Sequence, residues 1–194
     1  MLNDISIIIP VTPNETSHKK LLDDLKGCKA EIVISSEESR SQSLNAGAAK
    51  ATRPYLWFLH ADTHITQHHF EALKQSLQTT PNALHYFDLA FDGGAYMTLN
   101  AIGANLRSRL LGLPYGDQGF CISKELFEAT DGYPEDTPFG EDLLLVRVAK
   151  KKNINLQRIP SKLLTSARKY HDYGWLKLSL YRQWQLIKLL RIKI

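Results

Sequence analysis

Cysteine is scarce in this chain. Cys28 and Cys121 are the only two in 194 residues, too few for a disulfide framework. They suit a reducing compartment, where each is a small buried hydrophobe. No stretch approaches the roughly 18 uninterrupted apolar residues that a membrane-spanning helix needs. The first apolar run, Ile5 to Pro10, has Ser6 as its one polar member, and it is too short and lacks the basic lead of a secretory signal. The expected location is therefore the cytoplasm. Glycine-rich phosphate loops are also missing. PVTPNE follows the first run where a dinucleotide fold would carry G-x-G-x-x-G, and no G-x-x-x-x-G-K-[ST] occurs anywhere. A dinucleotide oxidoreductase or a P-loop enzyme is disfavoured on that ground.

Acidic residues are nearly absent from the last quarter. Residues 143–194 hold 13 Lys/Arg and a single carboxylate, Asp172, whereas residues 1–142 hold 11 Lys/Arg and 19 Asp/Glu. Such asymmetry points to a basic C-terminal surface meeting nucleic acid, phosphates or an acidic membrane face; a merely solvated face is the plainer alternative.

What is present is the pattern of one layered domain. Hydrophobic residues make up 43% and charged residues 23% of a chain long enough for a substantial core. Ile5–Pro10 reads as a buried parallel strand, and Asn14 or Thr16 can cap a helix running to Lys26. Strands are expected at 30–35, 55–59, 84–91, 120–123 and 154–159. Helices are expected from Ser41, over 70–77, 95–111 and 141–151, and after Asp172. Short apolar strands alternating with helices predict an α/β fold with a mostly parallel central sheet. Ligands bind such sheets beyond the carboxyl ends of the strands. Three polar clusters fall there: Thr12 to Glu15, Ser35 to Arg40, and His60 to Asp62.

Segments SIIIPVTPNE (6–15), SRSQSLNAGAAKAT (39–52), FLHADT (58–63) and FGEDLLLVRVAKK (139–151) follow one another in an order that resembles the family 2 glycosyltransferases of GT-A (nucleotide-diphospho-sugar transferase) fold. GDQGFCISKELFEATDGYPE (116–135) and TSARKY (165–170) resemble the subgroup called radical SAM/selenodomain-associated transferase 2. The resemblance covers Ile5 to about Trp175 and implies a hexosyltransferase-like, inverting, metal-assisted enzyme. It implies a GT-A domain over 1–174, with 175–194 as a basic amphipathic C-terminal helix.

The resemblance also implies roles. His60-Ala61-Asp62 aligns with the family's D-x-D, so Asp62 takes the carboxylate that binds Mn²⁺ or Mg²⁺ between the donor phosphates. His60 stands where the family usually has its first aspartate, which mainly contacts the nucleotide. Thr12, Glu15, Arg40 and Asn45 fall at donor-nucleotide positions, and Pro13 replaces the aromatic often found before Asn-Glu. Glu141-Asp142 matches an E-D pair in the acceptor half, with Asp142 as the base that deprotonates the acceptor hydroxyl. Unaided by the family, a carboxylate that complements the helix macrodipole is the simpler reading there. Asp117 and Gln118 are placed in the acceptor pocket, or else in a turn. Arg168 suits bidentate diphosphate contact, and His171 is a candidate second metal ligand.

Other readings compete. His60, His64 and His68 have i, i+4 spacing, but His60 lies on the strand side of a turn, so the three cannot share a helix face. His64, His68 and His69 are expected at the surface. KYHDYGWLK (169–177) interleaves basic and aromatic residues as an RNA contact would, without any RNA-binding fold signature, so no nucleic acid is expected. Nucleotidyl transfer shares the layout. In the tail, Lys177, Tyr181, Trp184, Lys188 and Arg191 share one helical stripe, beside Leu176, Leu180, Ile187, Leu190 and Ile194. Docking on its own domain, a homodimer, and a peripheral contact with an anionic inner membrane face all fit this helix; the last is favoured and suits a lipid-linked acceptor.

Overall fold

A computed structural model of the chain describes residues 3–13, 16–137 and 139–192, the side chains of Lys169 and His171 excepted. The strands are β1 (Ile5–Pro10), β2 (Glu31–Ser35), β3 (Tyr55–Phe58), β4 (Ala83–Phe91), β5 (Cys121–Ser123) and β6 (Asn155–Thr165). The helices are α1 (His18–Asp24), α2 (Arg40–Lys50), α3 (Gln67–Thr79), α4 (Ala95–Leu111), α5 (Lys124–Ala129), α6 (Glu141–Lys151), α7 (Arg168–Tyr173) and α8 (Trp175–Leu190).

They form one α/β domain around a six-stranded sheet in the order β2-β1-β3-β5-β4-β6. β1 pairs parallel with β2 and β3, and β4 parallel with β6. Short β5 runs antiparallel to both of its neighbours. Strand residues alternate between the two faces. Ile7, Ile9, Trp57 and Phe87 pack with Leu21 of α1 and Leu73 of α3. Ile8, Leu56, Phe58 and Tyr86 pack on the other side with Leu44 of α2 and Leu145 of α6. Both faces are covered, which is why β1 reads as an almost unbroken apolar run.

Three features depart from the expected pattern. β6 extends to Thr165 rather than ending at Ile159. Its ladder with β4 slips between Phe87 and Asp88, whose partners are Ile159 and Lys162, so two residues are bulged out. Pro160 lies in the bulge, where its lack of an N–H leaves no ladder bond broken. Helix α5, capped by Ser123, which accepts from the Leu126 N–H, lies where the apolar pattern predicts no helix. His69 is buried rather than exposed. Its Nδ1 accepts from the Thr66 N–H at 2.9 Å and its Nε2 faces the Lys162 carbonyl at 2.9 Å, so the ring is neutral and closes the start of α3. Burial lowers its pKa accordingly.

The end of α8 returns to the domain. Leu186 and Leu189 join Leu113, Leu143 and Leu144 in a small core. Arg147 of α6 donates to the carbonyls of Leu189 and Ile192, tying the end of α8 to the domain. Gly140, with φ of +79°, lets Leu189 lie against the backbone where any Cβ would collide with it. Gly140→Ala should therefore lower unfolding free energy by about 1–3 kcal/mol, combining left-handed strain with overpacking. Urea denaturation measures this; an unchanged midpoint would show that α8 is not seated there.

Candidate active site

The carboxyl ends of β1, β3 and β6 supply Thr12, His60 to Asp62, and Thr165 with Ser166. Two helix starts and one 3₁₀ turn complete the rim. Ser39 caps α2 through a reciprocal bond pair with Gln42, which sets Arg40 as the first helical residue. Gly140 precedes Glu141 and Asp142 in the first turn of α6. Gly116–Gln118 forms the 3₁₀ turn that carries Asp117.

Arg40 ties these pieces together. Its Nη1 donates to Glu141 and to Asp142 Oδ2, the latter at 3.0 Å, while Nη2 lies 2.5 Å from His60 Nε2. A guanidinium only donates, so His60 Nε2 accepts and its proton sits on Nδ1. Burial works to lower the Arg40 pKa, but Asp142 and Glu141 more than offset it and the guanidinium stays charged.

The two oxygens of Asp142 differ. Oδ2 meets Arg40, whereas Oδ1 is buried with no hydrogen-bond partner among the described residues. Burial pushes the carboxyl up to about 6; Arg40 pulls against this and Glu141 adds to it. The approach needs a glycine opposite: a Cβ on Gly116 would fall inside the Asp142 carboxylate. Asp117 is a second strained acid. Burial raises its pKa against the pull of Arg182 and Arg107, and its Oδ1 is likewise unpartnered among the described residues.

Two cavities meet at this network. One, of about 400 Å³, is lined by Tyr115, Asp117, Asp142, Tyr170 and Arg182 among others. The other, of about 180 Å³, is lined by Thr12, Glu37, Ser39 and Arg168 among others. Arg40, His60 and Asp62 line both. A molecule spanning the two would place its middle over those three side chains.

Most of the residues singled out in the sequence converge here: Thr12, Arg40, His60, Asp62, Asp117, Glu141, Asp142 and Arg168. Asn45 does not. Its amide clamps the loop after α5, donating to the Tyr133 carbonyl and to Glu135 at 2.8 Å each and accepting from the Tyr133 N–H at 2.9 Å. Gln118 is also elsewhere, fully buried and tied to Ser108, the Tyr115 N–H and the Phe87 carbonyl. Glu15 and the His171 side chain lie outside the described residues. Tyr115, Thr165, Tyr170 and Arg182 line the larger cavity without having been singled out. Tyr115 precedes the GDQG segment, and Thr165 and Tyr170 bound TSARKY, so those segments held a signal for them. Arg182, within α8, offered none.

Among the described residues, no three His, Cys, Asp or Glu side chains gather as a cation site. The i, i+4 histidine trio is not assembled: His64 sits 3.3 Å from Asp24, and His60 is held by Arg40. Asp62, which accepts from the Thr165 hydroxyl at 3.3 Å, presents one carboxylate to both cavities. One carboxylate fits an ion that arrives with substrate phosphates and water as its other ligands.

No protein-family model matches the chain, and no curated protein matches it. Solved structures do. The structure of S. aureus TarS 1–349 superposes with a TM-score of 0.63 at 13% identity, over 84% of this chain and 60% of that one. A second TarS structure gives 0.62 at 12% identity, over 84% of this chain and 37% of the longer partner. The fold is GT-A-like. At these identities the likeness is one of architecture, and the chain spans little more than half of the first TarS structure and about a third of the second.

The Asp142 geometry has a consequence for stability. Its folded pKa, about 6, lies above its ordinary value of 3.8. The carboxyl therefore favours folding below the unfolded value, and that contribution is lost as pH rises through the folded value. Asp142→Asn, neutral throughout, should be more stable than the parent at about pH 8 and equal to it at about pH 4. Denaturant midpoints at the two pH values check this; a variant no more stable at the higher pH would contradict it.

Proposed function

We propose that the protein transfers a sugar from a nucleoside-diphosphate donor to an acceptor hydroxyl, with inversion at the anomeric carbon. One observation carries this reading: a buried carboxylate with an unpartnered oxygen, Asp142, stands where two cavities meet at Arg40, His60 and Asp62. The GT-A-like fold and the glycosyltransferase TarS as structural neighbour support it.

The smaller cavity takes the nucleotide, with Thr12 and Ser39 as hydroxyl partners and Arg168 toward the diphosphate. The larger cavity takes the acceptor, against Tyr115, Asp117 and Tyr170. Mn²⁺ or Mg²⁺, held by Asp62 and by the donor's own phosphate oxygens, would neutralise diphosphate charge. The acceptor oxygen attacks the anomeric carbon as the bond from that carbon to the diphosphate oxygen breaks. The acceptor proton passes to Asp142 Oδ1, and the electron pair leaves with the nucleoside diphosphate.

Arg40 links binding to this chemistry. An arriving diphosphate competes with Asp142 for the guanidinium, and the loss of that partner raises the carboxyl's proton affinity further above 6. A base poised near the working pH is the efficient choice for general-base catalysis. Glu141 keeps a hold on Arg40 throughout.

Asp142→Asn should bind UDP or GDP at least as tightly as the parent, because Arg40 loses a competing anion, and should lose about 10²–10⁴-fold in transfer rate. In the parent kcat/KM should rise with pH through about 6, and kcat through a higher value, because the bound diphosphate draws Arg40 from the carboxylate. Arg40→Met should move the kcat/KM limb to higher pH while weakening donor binding. Asp62→Asn should abolish the Mn²⁺-dependent part of stabilisation by UDP or GDP. A panel of UDP-, GDP- and dTDP-sugars, followed by release of nucleoside diphosphate and by thermal shift, reads all of these. Full activity in Asp142→Asn would remove the base assignment, and an inert panel would contradict the function.

A further inference from the structure

Helices α4 and α8 lie side by side. Tyr96 meets Trp175 with ring centroids 5.3 Å apart, and Asn100 donates to Ser179 at 3.4 Å. Both contacts join residues at the same offset in sequence, so the helices run in the same direction. At about 100° per residue, each helix divides cleanly. On α4, Met97, Ala101, Asn105 and Ser108 are buried, and Leu99, Ile102, Leu106 and Leu110 form the opposite stripe. On α8, Leu186 and Leu189 are buried, and Leu176, Leu180, Trp184 and Ile187 face outward. The outward residues are bare: Leu110 is 77% exposed, Leu180 62% and Leu176 61%. The two stripes flank the line where the helices touch and form one apolar surface. Soluble proteins rarely leave such a patch without a partner.

Charge identifies the partner. Neither α4 nor α8 contains a single Asp or Glu; Arg107, Arg109 and Arg182 are engaged by Tyr115, Asp88 and Tyr170, which leaves Lys177 and Lys188 as the helices' charges on the outward face. Lys177 and Lys188 lie beside the α8 apolar stripe, with Arg191 just beyond the helix. Trp184 stacks on Tyr181 and carries Lys188 Nζ 3.7 Å above its ring, an amphipathic group suited to the depth of lipid headgroups. A two-fold pairing of this face would set cations against cations with no carboxylate between them. Among the described residues no helix is long and apolar enough to cross a membrane. We infer that the α4–α8 face docks on an anionic lipid surface, apolar side chains inserted and basic ones at the headgroups.

The groove between the two helices, of about 120 Å³, shares Phe91, Tyr115, Asp117, Tyr170 and Arg182 with the larger cavity of the candidate active site. Docking through this face sets one mouth of that cavity toward the bilayer. The acceptor is accordingly a hydroxyl or phosphate-bearing lipid presented from the membrane. This corollary rests on the transferase reading, whereas vesicle binding does not, so the two fail separately.

The test is co-sedimentation of the intact protein with vesicles of phosphatidylcholine alone and of phosphatidylcholine mixed equally with phosphatidylglycerol. The parent should bind the mixed vesicles at low salt, lose them at high salt, and ignore the neutral ones. Leu110→Glu combined with Ile187→Glu should weaken binding about tenfold or more while leaving the thermal melt unchanged. Lys177→Glu with Lys188→Glu should do the same, and should still melt as the parent does. Failure to bind the mixed vesicles overturns the proposal, as does equal binding to neutral ones or full binding by both double variants. A concentration-dependent dimer of the parent, lost in Leu110→Glu with Ile187→Glu, would assign the face to a second copy instead.

Discussion

One guanidinium holds the centre of this molecule together. Arg40 comes from the start of α2, His60 from the end of β3, and Glu141 with Asp142 from the start of α6, yet the four side chains share one hydrogen-bonded cluster. Arg40 remains about one-third exposed while its acidic partners are mostly covered. In a closed core, removing one member of such a set costs about 3–5 kcal/mol, because a buried charge is left behind. Here Arg40 lines two cavities, so a mobile anion has a route by which to replace a protein carboxylate. A charge cluster on a cavity wall is therefore a less costly place to exchange partners than one in the interior.

The fold works to bring those charges into reach. Parallel β1 and β3 end on the same side, and β6 delivers Thr165 to Asp62 from the far side of the sheet. Gly47 of α2 packs so closely on Ile8 and Ser35 that an added Cβ would overlap Ile8. That close approach sets the position of the whole helix, and with it Arg40. Gly116 does the same for Asp142. Burial raises the proton affinity of Asp142 and Asp117, a state that costs stability at neutral pH and persists where chemistry uses it.

Much of this was legible in the sequence. The apolar runs marked the strands, and the helices at 95–111 and 141–151 follow their periodicity with the same bounds. The polar clusters at strand ends located the cleft, since the α/β arrangement places them together whatever their separation in the chain. What escaped depended on long-range contacts. His69 looks like a surface residue until Thr66 and Lys162 are seen around it. Asn45 and Gln118 sit in motifs alongside cleft residues, yet their amides hold backbone groups of other segments, which no local pattern reveals. Arg182 reaches the cavity only because α8 folds back over Gly140.

The account turns on the coupling of Arg40 to Asp142 and to an incoming diphosphate. The most direct measurement is a carboxyl-carbon NMR titration of the protein alone and with saturating UDP or GDP, the Asp142 signal being assigned by its absence in Asp142→Asn. The account predicts an aspartate titrating near 6 in the free protein and shifting upward when the diphosphate draws Arg40 away. An Asp142 signal in the ordinary carboxylate range, or one near 6 that ignores the diphosphate, would contradict it.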